Sequence, residues 1–215
     1  MKKFAMAAVA VALPLGVIVS TAGVASGKGG AVKYDVSKDS ISCTVAATAN
    51  LAPTITSTSI PKKVNSTLHV ALTACSVSGP VALPAGTTVT GSGTGVLHVT
   101  TTGVTGVPTP AMATAGKISI KWTATAADLS TVMLKAPQSK LAVGTVSVST
   151  NGSLPTSNAT VSVGSTSVKG DFGGADNGAT SSLSATTTQT LADIETALSG
   201  SGLSSVDIGG PIALG

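Results

Sequence analysis

The chain has 215 residues, with twelve lysines, no arginine, eight acidic residues, a formal net charge of +4 and only 2% aromatic side chains. Basic residues this few and this scattered along the sequence exclude a nucleic-acid footprint, which needs them clustered. The shortage of rings argues equally against sugar or single-stranded nucleic-acid recognition by stacking.

Lys2 and Lys3 form a positive n-region ahead of an apolar run from Phe4 to about Val19. Gly23-Val24-Ala25 then offers the small-x-small pattern that a signal peptidase reads, so residues 1–25 are expected to be a secretory signal peptide. A retained membrane anchor is the alternative, because the run approaches the ~20 residues a spanning helix needs. Pro14 in its middle and the small-residue exit favour cleavage. No cysteine follows the run directly, and no second long apolar segment follows it, so no membrane span is expected after cleavage. Cleavage removes two lysines, and the net charge falls to +2.

Residues 26–39 are rich in Gly and Lys and read as a flexible N-terminal arm. Residues 40–215 read as one domain of short alternating segments separated by Gly, Pro, Ser and Asn. Ile41, Cys43 and Val45 share a face, as do Leu68, Val70 and Leu72, then Leu97 and Val99. The clearest alternation runs from Lys117 to Thr125, with Ile118, Ile120, Trp122 and Ala124 on the apolar side. Val132 and Leu134, Val146 and Val148, Val161 and Val163, Val168 to Phe172 and the stretch around Leu183 continue the pattern. Thr190 opens a capping-box-like Thr-x-x-Asp with Asp193, Leu191, Ile194 and Leu198 form a stripe, and Gly200 is a stop, which predicts one helix. Leu203 to Leu214 returns to a strand, expected to pair into the sheet. The predicted fold is therefore all-β: a single β-sandwich of roughly eight to ten short antiparallel strands with one short helix near the C-terminus.

The only cysteines are Cys43 and Cys75, both in the exported part. An oxidising compartment and an even count argue for one disulfide; a pair of metal-ligating thiolates would want further Cys or His at zinc-like spacing, which is missing. In the Gly-rich stretch from Lys169 to Gly178, Asp171, Asp176 and Asn177 offer oxygen ligands for calcium, but the spacing is not that of an EF-hand, and Asp-Asn-Gly is itself a turn sequence. The Asp171-Phe172-Gly173 triplet matches a kinase motif without any of its accompanying elements. His69 and His98 fall opposite the apolar residues of their strands, and a metal or catalytic pair would require those strands to be adjacent and in register. No Gly-x-Ser-x-Gly elbow occurs, Glu195 is the single glutamate, and the Thr-x-Thr pairs lack the constant interval that an ice-binding face needs. No cofactor is expected.

Several segments together resemble an uncharacterised family of secreted actinobacterial β-sandwich-like proteins. They are Cys43, the strand ending in Cys75, Gly116-Lys-Ile-Ser-Ile-Lys-Trp122, Val168-Lys-Gly-Asp-Phe-Gly173 and Gly202-Leu-Ser-Ser-Val-Asp-Ile-Gly209. Many such relatives carry a second cysteine pair near the C-terminal Gly-Leu; here Ala197-Leu-Ser-Gly-Ser-Gly-Leu203 has none. The resemblance implies secretion, a β fold and the first disulfide, and no activity. The expected role is a non-catalytic structural or interaction protein of the cell envelope or extracellular space, with cell-wall or surface components as partners. A carrier of apolar small molecules, using space beside Trp122 in an Ala/Val-rich core, is the alternative, and an extracellular hydrolase is third.

Overall fold

A computed structural model describes residues 31–58, 63–101, 111–150, 158–174 and 182–215. Among them are β1 (Lys33–Tyr34), β2 (Ser40–Ile55), β3 (Lys63–Ser78), β4 (Thr88–Thr101), β5 (Ala111–Thr125), β6 (Thr131–Leu134), β7 (Gln138–Thr150), β8 (Asn158–Gly170), β9 (Ser182–Thr190), α1 (Leu191–Ser199) and β10 (Leu203–Leu214). The protein is thus mostly β with one short helix near the C-terminus. The helix begins as its sequence dictates: Asp193 N donates to Thr190 Oγ1 (3.2 Å) while Thr190 N donates to Asp193 Oδ2 (3.0 Å). β10 pairs along its length with β2, ending at Leu214 opposite Ile41.

The expected two-layer sandwich is corrected. The strands form one sheet in the order β1-β6-β5-β4-β3-β2-β10-β9-β8-β7, and β7 pairs a second time with β5, from Ala111↔Ser147 to Lys121↔Gln138. The sheet therefore curls until its pairing returns to β5, and the apolar face is enclosed by the curl rather than by a second sheet. Along the curl from β5 round to β7 the thinnest junction is β9 with β10, where only Ile208↔Thr187 and Gly209↔Thr186 are in register.

The reason lies in β4. Gly91, Gly93 and Gly95 occupy the enclosed face directly opposite Trp122, Ile120 and Ile118 of β5. A methyl group added at Gly91 would sit 2.8 Å from the Trp122 ring and 3.0 Å from Leu72; at Gly93 it would sit 2.8 Å from the Ser119 carbonyl oxygen. One pair further along the pattern inverts, with Gly116 of β5 facing Leu97 of β4. Empty positions on one strand thus receive large side chains from its neighbour, and a sheet can bend sharply where its concave side carries no Cβ atoms. Ile118, Ile120, Trp122 and Ala124 are all at most 5% exposed, each large one stabilising by about 1.5–3 kcal/mol through burial.

The end of the curl at the start of β2 is plugged by two further segments. Residues 33–39, expected as part of a loose arm, are built into the fold. β1 pairs in parallel with β6, Phe172 N donates to Val36 O (3.0 Å) and Gly174 N donates to Asp39 O (3.2 Å). Val36 and Phe172 are fully buried. The expected signal peptide (1–25) and residues 26–30 lie outside the described residues.

Replacing Gly91 by alanine separates intrinsic preference from packing. In an open strand alanine is favoured over glycine by roughly 0.5–1 kcal/mol. Here the methyl meets a rigid indole, so Gly91→Ala is expected to destabilise by about 1–3 kcal/mol in urea denaturation. A stabilised variant would show that the indole is not seated against this strand.

Candidate functional site

The turn that follows β8 carries the most chemistry. Gly170 (φ +106°), Phe172 (φ +57°) and Gly174 (φ +79°) all take positive φ, a cost for Phe172 that persists because its surroundings hold it. A side chain at Gly170 would strike the Gln138 carbonyl, which is why that position is glycine. The expected Asp-Asn-Gly turn at 176–178 lies outside the described residues; the turn at 171–172 directs Phe172 inward, edge-on to Trp122 with ring centroids 5.0 Å apart. Trp122 Nε1 donates to Ser139 Oγ (2.7 Å), which in turn donates to the Asp171 carbonyl. The largest core side chain therefore has its one polar atom satisfied, as a buried indole requires.

Asp171 is fully buried, and neither carboxylate oxygen has a hydrogen-bond partner. Burial pushes its pKa up to about 6, helped by the negative charge of Asp35; the Ala136 N–H, outside good hydrogen-bond geometry, and the Lys135 ammonium oppose this more weakly. Asp39, also fully buried, accepts from Val81 N at Oδ1 (3.2 Å) and leaves Oδ2 unpartnered. Its pKa is raised chiefly by burial, against the pull of the Val81 amide. At the surface nearby, Lys135 Nζ lies 2.7 Å from Asp35 Oδ2, and with Ser37 it lowers the Asp35 pKa to about 2.

Of the calcium candidates, Asp171 is thus sealed inside the plug, while Asp176 and Asn177 lie outside the described residues. Among the described residues no group of three His, Cys, Asp or Glu side chains is close enough together to hold a metal. His69 and His98 do stand on adjacent strands, but His69 is opposite Thr94 and His98 is opposite Asn65. That four-residue offset separates them by about 13 Å along the ladder, and His98 Nδ1 bonds to Asn65 Oδ1 instead (2.7 Å). Cys43 and Cys75 form the expected disulfide. It joins β2 to β3 where both strands slip register, between Ser42 and Thr44 on one and between Leu72 and Cys75 on the other.

The outward face is the other chemical surface. Asp207, Thr48, His69, Thr94, Ser119, Lys140 and Lys169 form one continuous cross-strand row over seven strands. Thr48 Oγ1 donates to Asp207 Oδ1 within it (2.7 Å). A shallow depression open to solvent runs along this row and the next, floored by small outward residues such as Ala46 and Ala71. Sequence reasoning placed His69 and Ser119 on wet faces but missed the row, because a row exists only once strand registers are set. Among the described residues no helix is long and apolar enough to cross a membrane. Comparison with protein-family models, with curated proteins and with solved structures finds no match in any of the three.

The buried carboxyl has a measurable signature. Because the folded pKa of Asp171 lies above the unfolded value of 3.8, folding holds the proton more tightly than the unfolded chain does. The contribution of Asp171 to stability is greatest below pH 4, falls as pH rises through the window from 3.8 to about 6, and is flat above it. Asp171→Asn is expected to remove most of that fall, on the order of 2–3 kcal/mol, and to be more stable than the parent at pH 7. Urea titrations at pH 4 and pH 7 measure it; an unchanged pH dependence in the variant would refute the assignment.

Proposed function

We propose that this chain is an exported, non-catalytic structural or interaction protein of the cell envelope or extracellular space. One observation carries the reading: a core packed around Trp122 lies beneath an outward face made of Thr, Ser, Lys and His side chains in register. The groups that do chemistry elsewhere are spent on architecture here. Ser139 relays a hydrogen bond, Asp171 and Asp39 are sealed, and the histidines stand apart. The Cys43–Cys75 disulfide is compatible with an oxidising, extracytoplasmic compartment, and the resemblance to secreted actinobacterial proteins points the same way.

A carrier of apolar molecules needs room beside Trp122. Phe172 packs edge-on against the indole there, and Leu72 and the indole close together over Gly91, so the interaction reading is preferred. Native mass spectrometry of protein taken from its own secretion is expected to give the apo mass, and a lipid-sized adduct would turn the choice to the carrier.

Export is tested by the intact mass of the protein recovered from envelope and medium fractions. The expected species starts at Ser26 and has no alkylatable thiol. A full-length chain with two reactive cysteines in the cytosolic fraction would overturn the proposal. Reduction of the bridge, which closes a loop with a sequence separation of 32, is expected to cost about 3.5–4 kcal/mol on the chain-entropy scale.

A further inference from the structure

Lysines 117, 121, 140 and 169 are spread over 53 positions of sequence, yet strand register gathers them. Lys117 and Lys121 lie four residues apart on the outward face of β5, and Lys140 of β7 is paired to Ser119, between them. Lys169 of β8 is directly opposite Lys140. Directly opposed Cβ atoms are about 5 Å apart and diagonal neighbours about 7–8 Å apart, so four ammonium groups share one patch of three strands. All four side chains are exposed. Among the described residues none has an ion-pair partner, the one pair found being Lys135 with Asp35 at the plugged end. Among the described residues the acidic groups are placed elsewhere: Asp207 is bonded to Thr48 on β2, and Asp193 is occupied at the cap of α1.

Like charges set directly opposite each other across a ladder are destabilising. The fold keeps such a pair in Lys140 and Lys169 where a carboxylate on either strand would have relieved it. From this juxtaposition we infer that the outward face of β5, β7 and β8 binds a linear envelope polymer of phosphodiester-linked polyol units. The partner's chemistry follows from the patch. Lysine meets a phosphate as a point charge. Ser119 and Thr123, on the outward face of β5, and Gln138, on that of β7, bring further donors for phosphoryl oxygens. No aromatic residue stands on this face to stack a base or a sugar ring, since Tyr34, Trp122 and Phe172 all lie at the plugged end. That absence of stacking surface disfavours single-stranded nucleic acid and neutral glycan alike. The inference rests on the exported, non-catalytic reading above and deepens it by naming the partner.

The test measures binding of poly(glycerol phosphate) to the full processed chain by isothermal titration between 50 and 200 mM salt. Four lysine contacts to a flexible single chain imply a slope of log K against log salt of about −2 to −3. The Lys117→Gln/Lys121→Gln/Lys140→Gln/Lys169→Gln variant is expected to lose at least tenfold in affinity and most of that slope. A Lys33→Gln/Lys63→Gln control, which removes the same kind of charge elsewhere, is expected to stay within twofold. If the quadruple variant does not fold, Lys140→Gln/Lys169→Gln is expected to lose at least threefold while melting no lower than the parent, because the opposed charges are gone. Absence of binding by the parent chain, or equal binding by the variants, would overturn the inference. So would equal or tighter lysine-dependent binding of polygalacturonate, of duplex DNA or of phosphatidylglycerol vesicles. An exported protein that fails these assays leaves the broader reading standing. An unprocessed cytosolic protein that passes them removes export and keeps the patch.

Discussion

The contact between the glycine positions of β4 and the large side chains of β5 is the constraint from which the rest follows. Gly91, Gly93 and Gly95 give up their own burial so that Trp122, Ile120 and Ile118 can lean across the strand boundary. With no Cβ atoms on the concave side, the two strands bend together, and the bend carries β5 round to meet β7 as well as β4. A flat sheet with the same alternation would need a second layer to cover its apolar face. The curl makes that layer unnecessary, and one sheet encloses its own core.

The plug depends on the same bend. Trp122 is seated deep in the curl, edge-on to Phe172, which a strained turn pushes inward and whose N–H donates to Val36 O in the segment ending at Asp39. Closing that end takes two carboxyl groups out of water. Gly79 shows how tightly: a methyl group there would overlap the Asp39 carboxyl. Both acids respond as buried acids do, holding their protons to higher pH than in solution. The seal around Trp122 therefore weakens the fold at neutral pH while it excludes solvent from the core. The disulfide acts on a different weakness, tying β2 to β3 where their registers slip.

Outside, the arrangement is the reverse of a lipid-facing barrel, whose strands turn apolar residues outward. Here the outward positions of β2 to β5 carry Thr44, Thr48, Thr67, Thr94 and Lys117, and the apolar set is enclosed. This outer surface is shallow and continuous, with charge concentrated over β5, β7 and β8. A surface of that kind suits contact with an extended partner better than capture of a small molecule.

The one-dimensional pattern determined a good deal. Alternation from Lys117 to Thr125 separated buried from wet residues correctly, the Thr190–Asp193 box started the helix where it stands, and the two cysteines formed one bridge. These are local matters: period-two alternation, a cap three residues long, a pair with no other candidates. Tertiary structure alone decided the curl, the plug and the charged patch. The alternate glycines at 91, 93 and 95 were visible as letters, but their meaning depended on which side chains would stand opposite. His69 and His98 were kept apart by the same four-residue offset that no reading of either strand by itself contains. Lys140 and Lys169 came together through a pairing of β7 with β8. Alternation tells each side chain which face it belongs to; only register, a relation between strands distant in sequence, tells it which neighbours it will have.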